Sequence, residues 1–349
     1  MELNHGGDVY SAENTGAVDF SANINPLGLP KSVKQTLETA AADCVHYPDP
    51  LCRELRAAIG AYEGVAAENV FCAGGAAEIL YRIAWALRPR RALVASPTFS
   101  EYRLAVACTG GEVCTCPLHE EMDFAPGEDF IACIDGSVDL VFLCNPNNPT
   151  GVVVGREFVQ KTAEKCARTG ATLVVDECFM DFVRGGEENC SAKPLLSDYE
   201  NLLVLKAFTK IFSMPGVRLG YCLTANRQLI EKLALCGQPW SVSVFAQAAG
   251  AAAAKELAFV AESRRFVEKE RAFLCTGLSG LGLRVFEGTA NFLLFRASGV
   301  SDLRERLLRR GYLIRNCANF DGLDDNFYRI AVRTHAENSG LLRALECSL

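Results

Sequence analysis

No stretch of this chain approaches the ~18 uninterrupted apolar residues that a bilayer span requires, although half of its 349 residues are hydrophobic. The alanine-rich run from Ala246 to Ala254 is too short to span and reads as a packed helix. Positive charge is not in excess: 35 lysines and arginines against 42 aspartates and glutamates leave a net charge of −7. That balance argues against a surface for nucleic acid or another polyanion, while a local arginine cluster can still hold a small anion. There is no G-x-G-x-x-G turn, so a dinucleotide is disfavoured. No pair of C-x-x-C motifs exists, and the nearest grouping, Cys114-Thr115-Cys116 with His119, lacks the spacing and the fourth ligand of a zinc site. No metal is therefore expected. The start, Met1 to Asp8, has neither the basic nor the apolar region of a secretion signal. Cysteine, by contrast, is abundant. The 16 are scattered, mostly inside apolar runs, and read as reduced small hydrophobes, which points to the cytoplasm.

A chain of this length can bury a large core and is expected to divide into two lobes. Apolar runs of strand length fall at 69–72, 92–95, 139–144, 172–175, 202–205 and 219–223, with helical spacing at 79–87 and 157–168. This alternation predicts an α/β fold with a largely parallel sheet between helices. After about residue 240 a long helical stretch, 245–278, leads to shorter runs at 283–287, 291–295, 312–315 and 328–332, the pattern of a smaller α/β lobe. The expected division is an N-terminal segment (1–45) contributing to the small domain and the substrate site, a large domain (46–240), and a connecting helix with a small C-terminal domain (241–349).

Ligands of such sheets bind beyond the carboxyl ends of the strands, and the chemically suggestive residues fall there. Lys210 and Arg218 lie eight apart in a loop containing Pro215-Gly216. A loop lysine can form an imine with an aldehyde, and an arginine can clamp a phosphate bidentately; one ligand carrying both groups is pyridoxal 5'-phosphate. Asp176 closes an apolar run, where a buried carboxylate needs a cation. A protonated pyridine nitrogen is one reading and a helix N-cap the other. Asn148 sits in Asn145-Pro146-Asn147-Asn148-Pro149-Thr150-Gly151, where two prolines fix the backbone so that an amide points rigidly at a ligand, or simply make a turn. Gly75 and Ala76 open a helix whose amides can reach a phosphate. Phe99 is either a face for the pyridine ring or a core aromatic. Arg315, Arg329 and Arg333 lie in the last lobe, the latter two on one face of a strand. They suit a substrate with two anionic groups.

Together these segments resemble fold-type-I pyridoxal-phosphate enzymes of the aspartate aminotransferase superfamily over nearly the whole chain. The 145–151 run, Asp176-Glu177 and the Lys210-to-Tyr221 segment are shared with histidinol-phosphate aminotransferases. A narrower resemblance, to the L-threonine-O-3-phosphate decarboxylases of cobalamin biosynthesis, rests on His5-Gly6-Gly7-Asp8, Asp19 to Gly28, Gln238-Pro239-Trp240-Ser241-Val242, Ile314 to Phe320 and Arg329 to Arg333. It implies that Lys210 forms the imine, Asp176 pairs with the ring nitrogen and Asn148 meets the phenolic oxygen. Arg218, Thr209 and the amides of Gly75 and Ala76 would hold the cofactor phosphate, with Tyr47 reaching it from a neighbouring subunit of a homodimer. Arg329 would grip the α-carboxylate, Arg315 and His5 the substrate phosphate, with Asn23 and Arg333 as further substrate contacts. The implied reaction is decarboxylation of L-threonine O-3-phosphate to (R)-1-amino-2-propanol O-2-phosphate. The alternatives are a histidinol-phosphate-type aminotransferase and a decarboxylase preferring L-serine O-phosphate. Two departures stand out: Phe179 occupies a position usually tyrosine in the aminotransferases, and Ala207 replaces a common hydroxyl residue.

Overall fold

A computed structural model describes residues 5–349. Its larger sheet has seven strands: β2 (Val70–Ala73), β3 (Arg91–Ser96), β4 (Glu112–Pro117), β5 (Leu140–Cys144), β6 (Thr172–Asp176), β7 (Leu202–Ala207) and β8 (Gly220–Leu223). Their spatial order is β2-β8-β7-β6-β5-β3-β4. The pairs from β7 through β4 are parallel, whereas β8 runs against both β7 and β2. Every residue of β5 and β7 is buried, so these strands are unbroken apolar runs, as expected of parallel strands covered on both faces. Side chains alternate between two cores. Leu140, Phe142 and Cys144 join one, Val141 and Leu143 the other, following the two-residue period of a strand.

A second sheet, in the order β12-β13-β10-β9, is antiparallel. Its strands are β9 (Arg284–Phe286), β10 (Phe292–Arg296), β12 (Arg315–Asn316) and β13 (Phe327–Ala331). It packs on the helix Leu257–Gly280, which in turn packs on the helix His335–Glu346. The N-terminal segment is tied to this lobe. Strand β1 (Val18–Asp19) pairs in parallel with β11 (Tyr312–Leu313), and the carbonyl of Phe20 accepts the Ala331 amide at 2.8 Å.

The sheet is largely parallel, as expected, and the run 219–223 supplies its reversed strand, β8. Two further points differ from the sequence reading. The helical stretch 245–278 is two helices, Val244–Ala253 and Leu257–Gly280, set 77° apart. The first packs on the helices Lys31–Ala40 and Arg53–Glu63, where Gly250 admits Leu219 and Leu55 so closely that a Cβ would lie 2.4 and 2.5 Å from them. Continuing straight would strip that face of its neighbours. Strand β4 was not foreseen. It forms the sheet edge, and most of its residues are exposed or half-buried, so it carries no apolar run. Among the described residues no single helix is long and apolar enough to cross a membrane.

Candidate active site

The topology explains why residues distant in sequence meet. Strands β2, β3, β5, β6 and β7 point their carboxyl ends toward one cleft, and the reversed β8 contributes its beginning. Ala207 and Gly220 are direct partners, so the connection between them folds back over the same edge, carrying Thr209, Lys210 and Arg218 into the cleft. A cavity of about 380 Å³ lies there, lined on this side by Ala76, Phe99, Asn148, Asp176, Phe179, Thr209, Lys210 and Arg218. The small lobe and N-terminal segment close the other side with His5, Asn23, Arg315, Phe320 and Arg329.

Asp176 caps no α-helix. Its Oδ1 accepts the Cys178 amide at 3.0 Å and its Oδ2 the Tyr102 hydroxyl at 2.7 Å. Burial pushes this carboxyl up, against the two donors. Lys210 is half-buried, and desolvation, with the guanidinium of Arg329 next, brings its amine down to about 8. Lys206, four residues earlier on β7, shows the opposite case. It is 1% exposed but ion-paired to Glu63 at 3.1 Å and Glu187 at 2.8 Å, and surrounding carboxylates hold it well above its usual range against burial. Of the two lysines, Lys210 is the one poised to lose a proton near neutrality. Its loop is braced from the N-terminal segment: the Asn25 amide donates to the Lys210 carbonyl at 3.2 Å, and the Asn25 side chain donates to the Ile211 carbonyl at 2.6 Å.

At the other edge, Gly75 has φ +113°, and a Cβ there would lie 2.6 Å from Nη2 of Arg218. A Cβ on Gly220 would stand 2.2 Å from the Ala76 nitrogen. Two glycines thus let the N-terminus of the helix Ala76–Leu87 approach Arg218 and the start of β8. The result is a cradle of amides beside a guanidinium, suited to a phosphate. The turn 145–151 is held by its own asparagines. Asn147 accepts the Thr98 hydroxyl at 2.8 Å and donates to the Pro97 carbonyl at 2.9 Å. Phe99 lines the cavity, and Phe179 lies edge-on to Phe292 at 5.0 Å.

At the substrate end Arg315 and Arg329 are direct cross-strand partners on β12 and β13, so both side chains leave the same face of the sheet. Like charges at such positions repel. Arg329 is buried; it donates to the Asn148 side-chain oxygen and, at 2.8 Å, to the Ser21 carbonyl. Among the described residues its Nε finds no acceptor, and burial brings the group down to about 10. Arg315 donates to Asn319 at 2.6 Å and lies over Phe320. The buried Oδ1 of Asn23 likewise lacks a donor among the described residues. A pocket with a shifted amine at one end and paired guanidinium groups at the other can take a ligand with an aldehyde and a phosphate, together with a second, doubly anionic molecule.

Two expected site residues lie elsewhere. Arg333 does not line the cavity: β13 ends at Ala331, so the alternation that would align it with Arg329 stops short. Its guanidinium donates to the Asp19 carbonyl at 3.0 Å and pairs with Glu337 at 2.7 Å. Tyr47 is 79% exposed and stacks on Trp240 at 4.6 Å, outside the cavity of its own chain. His5 does line the cavity, with Nε2 bonded to Glu101 at 2.8 Å. Tyr102 and Glu101 escaped the sequence reading. Their only signal was position, within one turn of Pro97-Thr98-Phe99.

The family model "Aminotransferase class I and II" matches residues 15–345. The threonine-phosphate decarboxylase of Salmonella typhimurium is 35% identical over 350 residues, covering 98% of this chain and 95% of that protein. Among solved structures, the histidinol-phosphate aminotransferase of Clostridium acetobutylicum superposes with a TM-score of 0.88 at 32% identity, over 94% of this chain and 98% of that one. The L-threonine-O-3-phosphate decarboxylase of Porphyromonas gingivalis gives 0.82 at 26% identity, over 94% and 98%.

Proposed function

This chain belongs to the class I and II aminotransferase family, and on that premise we propose that it is a pyridoxal-phosphate-dependent decarboxylase of L-threonine O-3-phosphate. The products are carbon dioxide and (R)-1-amino-2-propanol O-2-phosphate, the latter destined for the nucleotide loop of cobalamin. The observation that carries this reading is the facing pair Arg315 and Arg329. Two guanidinium groups on one side of a sheet, one of them buried, call for a ligand with two anionic groups, such as a carboxylate and a phosphate.

Bound pyridoxal phosphate supplies an aldehyde for the substrate amine and a ring that withdraws electrons from the α-carbon. The protein supplies the rest. Gly75, Ala76, Thr209 and Arg218 hold the cofactor phosphate, Asp176 meets the ring nitrogen, Asn148 the phenolic oxygen and Phe99 the ring face. Arg329 takes the substrate carboxylate; Arg315, with His5, takes the substrate phosphate, and Asn23 adds a polar contact. Arg315 and His5, by anchoring the substrate phosphate, would set the orientation in which the carboxylate is lost, and Lys210, its amine brought down to about 8, would be placed to deliver a proton to the α-carbon once carbon dioxide has left. Phe179 leaves the phenolic oxygen without the hydroxyl donor usual in aminotransferases.

Segment 1–45 shapes the substrate side, 46–240 holds the cofactor and 241–349 completes the small domain; residues 1–4 lie outside the described structure. The exposed Tyr47–Trp240 stack fits a homodimer in which Tyr47 reaches the partner's cofactor phosphate. The free thiols of all sixteen cysteines suit the cytoplasm. Incubation of the loaded protein with phosphothreonine, scoring carbon dioxide against amino transfer to 2-oxoglutarate, tests the reading. Release of carbon dioxide with a phosphorylated amine supports it. Stoichiometric glutamate, from phosphothreonine or histidinol phosphate, replaces it with the aminotransferase reading, and a preference for phosphoserine narrows the pocket instead.

A further inference from the structure

We propose that Tyr102, which has no part in the roles assigned above, is a positioning residue: it fixes the orientation of the Asp176 carboxylate and couples it mechanically to Phe99. This rests on reading the cavity as a cofactor site. Tyr102 and Asp176 are both buried, and the phenol hydroxyl donates to Oδ2 at 2.7 Å while the Cys178 amide donates to Oδ1 at 3.0 Å. With one rigid donor on each oxygen, the carboxylate cannot turn about its own axis, and its remaining lone pairs face the cavity that it lines.

The ring of Tyr102 is fixed in turn. It stacks on Phe142 at 4.8 Å with only 9° between planes and meets Phe99 edge-to-face at 5.7 Å and 82°. One side chain therefore touches both the group that would meet the edge of a bound pyridine ring and the group that would cover its face. The phenol remains a donor at any working pH, because burial raises it well above its usual value. Burial also favours the neutral form of Asp176, so each charge-assisted bond matters. Losing one shifts the balance between ionised and neutral carboxyl by roughly ten- to a hundredfold. A neutral or tilted carboxyl would hold a protonated ring nitrogen poorly.

Tyr102→Phe removes the hydroxyl and keeps both ring contacts, so folding is preserved. The readout is the dissociation constant of pyridoxal phosphate from the protein without substrate, together with the pH at which the bound cofactor's absorbance titrates. The expected result is dissociation weakened about tenfold and a displaced titration. In an Asp176→Asn background the same substitution should have no further effect on cofactor affinity, because the coupled partner is gone. Unchanged affinity and titration in the single variant, or equal losses in both backgrounds, would overturn the proposal. Neither readout involves phosphothreonine, so failure of the decarboxylase assay leaves this inference standing. Failure of the unsubstituted protein to bind the cofactor would overturn both.

Discussion

Replacing Arg329 by methionine should separate ligand binding from stability. Arg329 is 5% exposed, and burial lowers it from 12.5 to about 10. Carried into free energy, that shift sets about 3 kcal/mol against the charged form in the folded protein. Opposing it are the bonds to Asn148 and the Ser21 carbonyl and the placement over Phe292 at 5.5 Å. Each is worth about 1 kcal/mol. The terms nearly cancel, so Arg329→Met should leave the ligand-free protein within about 1 kcal/mol of the parent and move Tm by no more than about 3 °C. Substrate recognition has no such compensation. A desolvated guanidinium–carboxylate pair is worth about 2–5 kcal/mol, so kcat/KM should fall roughly thirtyfold to several thousandfold. Thermal melting of the ligand-free protein beside steady-state kinetics gives both numbers. A large drop in Tm with kcat/KM intact would show that Arg329 braces the lobe and has no role with substrate.

Other perturbations have defined signs. Gly75→Ala forces an L-residue into a backbone region that costs about 1–3 kcal/mol and sets a Cβ 2.6 Å from Arg218; cofactor affinity should drop more steeply than Tm, as dialysis and melting would show. Burial raises Glu177 to about 7 despite Lys206, so the folded state retains a proton that the unfolded chain has released. Stability should therefore fall as pH climbs from about 4.5 to 7, by at most about 3 kcal/mol, and Glu177→Gln should flatten that limb of the denaturation curve. Against burial, Lys206 and Lys193 hold Glu187 down at about 2, which works the other way: its contribution is lost as pH falls from about 4.5 toward 2. Since Lys210 loses its proton near 8, the rate at which ligand-free protein combines with pyridoxal phosphate should rise through that pH and then level; a midpoint near 10.5 would contradict the burial argument.

What could be read from the sequence follows from what each segment buries. Strands β5, β6 and β7 stood out because covering on both faces makes them continuous apolar runs, and their ends located Asn148, Asp176 and Lys210 at once. Edge strand β4, half in solvent, left no such mark. Nor did the reversal of β8, since direction is not written in a four-residue run; yet that reversal is what brings Arg218 beside Gly75. The substrate end was legible in composition but not in pairing. Arg329 was grouped with Arg333 by strand alternation, whereas its actual neighbour across the sheet is Arg315. Tyr102 was hidden for a related reason: a tyrosine in the first turn of a helix, here Glu101–Ala107, looks like core until the tertiary fold shows where its hydroxyl goes.

Borohydride reduction of the protein saturated with pyridoxal phosphate, followed by peptide mapping, tests the central claim most directly, because two lysines only four residues apart, Lys206 buried and Lys210 half-buried, compete for the label. The account expects the reduced adduct on Lys210, which among the described residues has no carboxylate ion pair and whose amine is brought down to about 8. An adduct on Lys206, or none on either, would contradict it.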